Sequence, residues 1–362
     1  MLRRQRRSIL DAIKLSCRTH SLVATGIVVL ALTAVSYFSR SLPAQSQGTA
    51  QVQGFTFALI GDLGYTPSQE RWVENVMSDL NNAALAFVVH VGDLSSPRFA
   101  CTDEMQARRL AQFRASAHPF VYTPGDNEWS DCHDASGYQG VKGGNPLERL
   151  ATLRKVFFEG EQSLGKRTLP LTRQSSDPAF VNYRENVRWE MGGVTFVTLH
   201  VVGSNNGLGR SPEGDAEYAD RNKASLAWLH KGFEHAKTNN SRAIMIMLHA
   251  NIFPDYPPFA GGRGDANPSG LTDIRVLLEK EATAFAKPVV LVHGDSHYFR
   301  IDNPFRPRSG GQPGVPSLEN FMRLETFGTP NHHWVQVTVD ANEPSVFTIR
   351  PRIVAANVVK RP

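Results

Sequence analysis

The sequence predicts an α/β sandwich. Three observations carry that expectation: six apolar runs of strand length, helix-periodic segments between them, and an acid, amide or histidine at the end of nearly every run. Apolar runs without polar interruptions belong to strands buried on both faces, which requires a layer above and below each sheet. At 362 residues and 41% hydrophobic content, the chain has room for one large domain or two smaller ones.

In chain order, "FTFALIG" (residues 55–61) is the first strand. A helix signal follows at once, with Thr66 as N-cap, Pro67 at the first helical position and Gln69 closing a capping box. Trp72, Val73, Val76, Met77 and Leu80 then recur at helical spacing and form one buried face. "LAFVVHVG" (85–92) is the second strand, a helix is predicted over 102–117, and "PFVYTPG" (119–125) is the third strand. Later strands are "VTFVTLHVV" (194–202), "AIMIMLHA" (243–250) and "PVVLVHG" (288–294), with helices over 216–237 and 272–286.

The formal net charge of +5 belongs to the start of the chain. Residues 1–44 hold seven basic residues (Arg3, Arg4, Arg6, Arg7, Lys14, Arg18 and Arg40) against the single acid Asp11, and the remainder is close to neutral. No basic stripe with interleaved aromatics remains, so no nucleic-acid partner is expected. Residues 1–44 read as a signal peptide or an N-terminal membrane anchor: the charges precede the apolar run 21–38, which places everything after it outside the cytoplasm. The expected organisation is this segment, a linker over 45–53, one domain over 54–350 and a C-terminal tail over 351–362. An exported protein, periplasmic, extracellular or anchored, meets a compartment that permits disulfides. Cys17 lies in the leader, which leaves Cys101 and Cys132 as a pair predicted to be bonded.

The strand ends carry the chemistry. "LIGDLG" ends in Asp62, "VHVGDLSS" in Asp93, "YTPGDNEW" in Asp126 and Asn127, "IMLHAN" in His249, and "VHGDSHYF" in Asp295 and His297. Each alone fits a turn residue, a helix cap or a satisfied core histidine. Five in succession fit a shared site, because ligand sites in open α/β sheets gather at the carboxyl ends of strands. Such a set of oxygen and nitrogen donors suits a two-metal hydrolase, in which two cations about 3.5–4 Å apart generate a nucleophile and clamp a phosphate.

At these residues the chain resembles the calcineurin-like metallophosphoesterases, which include the purple acid phosphatases. The quoted motifs follow that family's order from about residue 55 to residue 300. The resemblance implies a four-layer α-β-β-α metallophosphoesterase sandwich of two mixed β-sheets. It also implies two divalent metal ions, with Asp62 and His297 on the first, Asp93 bridging, and Asp126, His249 and Asp295 on the second. The implied activity is hydrolysis of a small phosphoester substrate by metal-bound hydroxide. The alternatives are a nuclease or cyclic-nucleotide phosphodiesterase on the same fold, or a degenerate relative that binds a metal or partner without catalysis. The membrane is a partner only through the N-terminal segment.

This chain departs from the family pattern at several positions. Gly64 stands where a metal-binding histidine is usual, and Ser96 stands where purple acid phosphatases restore a tyrosine ligand. Asp126 replaces the ligand asparagine, and Asn127 replaces the histidine that assists the leaving group, which makes Asn127 the catalytic candidate; an alignment shifted by one residue makes Asn127 the ligand instead. Asp295 stands in place of a further histidine. Carboxylates at Asp126 and Asp295 make the second site richer in anionic oxygen, which favours Mn²⁺, Mg²⁺ or Fe, with Zn²⁺ as the alternative. Metal-stripped protein is therefore expected to regain hydrolysis with manganese, magnesium or iron. Recovery with zinc alone would contradict this reading.

Overall fold

The computed structural model describes residues 54–99, 101–133, 144–253, 268–305, 318–340 and 342–358. The predicted leader and linker lie outside the described residues, as do residues 254–267, part of the segment that follows His249. Among the described residues no helix is long and apolar enough to cross a membrane.

Two mixed sheets form the centre. Strands β1 (Phe55–Ile60), β2 (Val88–His90), β3 (Phe120–Tyr122), β11 (Trp334–Val339) and β12 (Phe347–Arg352) make a five-stranded sheet in the order β12-β11-β1-β2-β3. Strands β4 (Thr172–Arg173), β5 (Val187–Met191), β6 (Val194–Thr198), β7 (Ala243–Met247), β8 (Val289–His293), β9 (Arg300–Asp302) and β10 (Phe321–Glu325) make a seven-stranded sheet in the order β4-β5-β6-β7-β8-β10-β9. The motif-bearing strands run parallel: β1 with β2, β2 with β3, β6 with β7 and β7 with β8. Their carboxyl ends therefore lie along one edge of each sheet.

The layering follows from the alternation of side chains along each strand. In β1, Phe57 and Leu59 enter the core between the sheets, where they meet Phe196, Met245 and Val292, while Ala58 and Ile60 face the opposite way. That outer face is covered by α1 (Glu70–Asn82), α2 (Asp103–Arg114) and α3 (Pro146–Phe157), through Val76, Leu80, Phe113 and Phe157. On the other sheet, Ile244, Ile246 and Leu291 pack against α5 (Pro212–Thr238) and α6 (Thr272–Phe285), through Trp228, Phe233, Leu278 and Phe285. The remaining helical turn, α4 (Gly203–Asn206), belongs to the site. The result is the expected four-layer α-β-β-α arrangement.

Several local expectations change. The strands end earlier than their apolar runs because the last residues leave the sheet to carry the site. The capping box before α1 does not form: Gln69 lies in a 3-10 turn (Pro67–Gln69), and its Oε1 accepts from Tyr65 N at 2.8 Å, while the Thr66 hydroxyl bonds Ser68 at 2.9 Å. Helix α5 starts before residue 216, because Ser211 caps it through Gly214 N and Pro212 occupies its first turn. The final strand continues past residue 350 to Arg352, and Asn357 docks beyond it by donating to Trp72 O and His332 O.

Cys101 and Cys132 are joined, with Cα atoms 5.9 Å apart. Both sulfurs lie close to the Asn127 carbonyl, so the bond braces the loop after β3 against the start of α2. Closing a loop of 31 residues is worth about 3–4 kcal/mol on the chain-entropy model. Cys101→Ser with Cys132→Ser is expected to lower unfolding stability by about that amount in urea titrations. Unchanged stability would contradict a structural role.

Candidate metal centre

The sheet edges bring the predicted residues together. Donor atoms of Asp62, Asp93 and His249 lie within 4.8 Å of one another, and so do those of Asp126, His249 and Asp295. His297 joins through Nε2, which lies 3.4 Å from Asp62 Oδ1. Asp62, Asp93, Asp126 and His249 are at most 5% exposed. Hydrogen bonds knit the loops within and between the sheets: Asp62 N donates to Gly92 O at 3.0 Å in one sheet, Gly294 N to His249 O at 3.0 Å in the other, and Asp295 N to the Asp62 side chain (Oδ1) at 3.1 Å across them.

The backbone is unusual where these side chains leave the strands. Asp62, Asp93, Asp295 and His297 all have left-handed φ values, between 56° and 73°. Non-glycine residues rarely adopt this conformation, and it concentrates where surrounding structure forces side chains toward a functional point. The α4 turn does the same with Ser204, Asn205 and Asn206. It presses Gly203 against the second group, where a Cβ would lie 2.5 Å from Asp295 Oδ1 and 2.9 Å from Asp126 Oδ2.

The donor set fits cations. His249 Nδ1 lies 2.9 Å from Val91 O and His297 Nδ1 lies 2.9 Å from Thr329 O. A carbonyl can only accept, so each Nδ1 carries the proton and Nε2 is turned into the site. This is the arrangement that orients metal-binding histidines. His249 Nε2 lies 3.0 Å from Asp126 Oδ1 and 3.3 Å from Asp93 Oδ1. Yet His249 Nε2, Asp126 Oδ1 and Asp62 Oδ2 are buried without a hydrogen-bond partner. These atoms converge on common points.

The electrostatics describe the same crowding. Burial pushes Asp93 well above the usual carboxylate range, and the charges of Asp126, Glu128 and Asp62 add to it. Burial and then Asp126 push Asp295 up to about 6. At Asp126 the penalty of burial is outweighed by the close approach and charge of the His249 imidazole, which hold it at about 2. Burial alone would lower His249, but Asp93, Asp126 and Asp62 outweigh it and raise the imidazole well above its ordinary value. Positive charge at the centre relieves all of these groups together.

Asn127 is turned toward the proposed bridge. Its backbone N donates to Asp93 Oδ1 at 3.1 Å and its Nδ2 to Asp93 Oδ2 at 2.6 Å, whereas Asp126 reaches His249. Two supporting residues escaped the sequence reading. Glu128 Oε1 accepts from Asp93 N (2.9 Å), Gly125 N (3.0 Å) and Tyr122 Oη (2.7 Å), which ties the loops after β2 and β3 together. Arg109 on α2 donates to Leu94 O and Gly64 O, both at 2.9 Å, and pairs with Glu70, which ties the loops after β1 and β2. Only an acid after the third motif and an arginine in a helix could have signalled them. A separate group on α5 and α6, His230, Glu234 and Glu281, already holds a cation, since Lys237 Nζ lies 3.1 Å from both glutamates.

No protein-family model matches the chain, and no curated protein does. Among solved structures it is similar to GAP50, the anchor in the inner membrane complex of Plasmodium, at 12% identity and TM-score 0.41, covering 83% of this chain and 89% of that one. It is similar to a 5'-nucleotidase from Candida albicans at 10% identity and TM-score 0.38, covering 82% of this chain and half of that one. It is also similar to Vacuolar Protein Sorting 29 from Cryptosporidium parvum at 10% identity and TM-score 0.29, covering 82% of this chain and 96% of that one. These likenesses are distant, and the fold stands on the topology described above.

The Gly203 contact provides a test. Its φ lies outside the left-handed region, so alanine is compatible with the backbone, but the new methyl would occupy the space between Asp126 and Asp295. Gly203→Ala is expected to weaken Mn²⁺ binding at that side by about tenfold or more, as small displacements of ligands do, while thermal stability changes little. Calorimetric titration with unchanged affinity would contradict the assignment.

Proposed function

We propose that this chain is an exported, two-metal phosphoesterase acting on a small phosphoester. The observation that carries the reading is the set of orphaned donor atoms, two carboxylate oxygens and an imidazole nitrogen, buried at the strand ends and directed at common points. Asp62, Asp93 and His297 would hold one cation, and Asp93, Asp126, His249 and Asp295 the other. Bound there, the pair would supply an activated water and Lewis acidity toward a phosphoryl oxygen. The family pattern of motifs supports the same reading, and the Cys101–Cys132 bond supports an exported setting.

The chain's own residues account for the rest. Glu128 and Arg109 fix the loops, so the ligands meet substrate without reorganising. Asn127 holds the bridging Asp93 and presents an amide, which can donate a hydrogen bond but cannot transfer a proton at ordinary pH. General-acid assistance is typically worth about 10²–10⁴-fold, and matters most for poor leaving groups. The second reading, a metal-binding relative without turnover, is favoured by the same commitment of Asn127 to Asp93.

A panel of aryl and alkyl phosphoesters separates the two. The metal-loaded protein is expected to cleave aryl esters, with rates falling steeply as leaving-group pKa rises. Asp93→Asn should cost on the order of 10³-fold or more. A flat dependence on leaving group would show that an acid is present. Bound cations with no turnover of any ester would favour the non-catalytic reading.

A further inference from the structure

The first cation site lacks a histidine at residue 64, which is glycine, and has Ser96 where purple acid phosphatases carry a tyrosine ligand. Ser96 does not fill the gap, since its Oγ accepts from Arg98 N at 3.3 Å. Histidine at residue 64 is sterically barred: Gly64 has φ of +73°, and a Cβ there would run into Arg109 Nη2 and Val73. Arg109 therefore occupies the space that a side chain at 64 would need, and the Gly64 carbonyl is one of its acceptors.

The next residue enters the site instead. Tyr65 Oη contacts Asp93 Oδ2, lies 2.9 Å from His297 Nε2 and 3.3 Å from Asp62 Oδ1. Those are the three side chains assigned to the first cation. The Asp62 Oδ1 to His297 Nε2 distance is 3.4 Å, so Tyr65, His297 and Asp62 form a closed triangle of donor atoms. Bonds of about 2.1 Å at angles of 90–110° place neighbouring donors about 3.0–3.4 Å apart, which is the size of that triangle. The ring is held in place at both ends of the residue: Tyr65 N donates to Gln69 Oε1 at 2.8 Å, which also accepts from Thr329 Oγ1, and the ring packs edge-on to His297 with centroids 4.9 Å apart.

We propose that the phenol oxygen of Tyr65 is a ligand of the first cation, replacing the histidine that Arg109 displaces. The proposal rests on the two-cation reading and completes its weaker half. On binding, the phenolic O–H bond breaks, its electron pair remains on oxygen as the donor, and the proton leaves to solvent. A phenolate next to ferric iron also has a distinctive consequence, because charge transfer from the ring to the metal absorbs visible light. Carboxylate and imidazole ligands alone produce no such band.

The experiment loads the purified protein with Fe³⁺ and records metal content, visible absorption and resonance Raman spectra. Wild type is expected to bind iron, absorb in the visible region and show enhanced phenolate ring modes. Tyr65→Phe should lose the band and bind iron at the first site about tenfold or more weakly, the loss typical of disturbed metal ligation. The Raman measurement on wild type needs no variant, and a circular-dichroism melt of the metal-free variant shows whether it folds. Iron bound without a phenolate signature, or a band that survives in Tyr65→Phe, overturns the role of Tyr65 and leaves the two-cation reading intact. Failure of wild type to bind iron, manganese or zinc overturns both.

Discussion

The repulsion among carboxylates buried at one edge of two sheets is the constraint on which the rest of this structure depends. Asp62, Asp93, Asp126 and Asp295 converge within a few ångströms, with Glu128 immediately behind them. Taking isolated charges out of water costs several kcal/mol per ion unless an opposite charge stands close by. Two imidazoles, even with the acids favouring their charged forms, carry at most two positive charges against five carboxylates. A chain that only needed to be stable would fill this space with apolar side chains.

Other features of the fold work against that repulsion. The left-handed conformations at four of the six candidate ligands store local strain, which persists because the surrounding packed structure over-determines them. Arg109 and Glu128 act as opposite kinds of pin: a buried cation gathering backbone carbonyls, and a buried anion gathering backbone N–H groups. Between them they fix the loops after β1, β2 and β3. The disulfide adds a covalent brace to the last of these loops. The α4 turn closes the other side, where only glycine leaves room beside Asp126 and Asp295.

Much of this was legible in the sequence, for a physical reason. A strand buried on both faces carries few charged residues, so an acid or histidine that closes an apolar run marks the carboxyl edge of the sheet. Seven strand-end residues stood out in that way, the family resemblance singled out six of them as metal ligands, and the structure brings those six side chains together. Tyr65 was not legible, because its place depends on Arg109, which lies 44 residues further on and reads locally as a solvated helix residue. The strands β4, β5, β9, β10, β11 and β12 were missed because polar residues interrupt each of them and leave no clean apolar run. The α4 turn carries no periodic signal, and its left-handed asparagines are set by the packing of the site around Gly203.

The central claim is that the cluster is a centre for two cations and not merely an acidic pocket that takes up protons. Anomalous diffraction from crystals grown with Mn²⁺ tests it most directly. The account expects two peaks about 3.5–4 Å apart on either side of Asp93, one beside Asp62 and His297 and the other beside Asp126, His249 and Asp295. A single peak, or density showing the carboxylates paired through protons with no metal present, would contradict it.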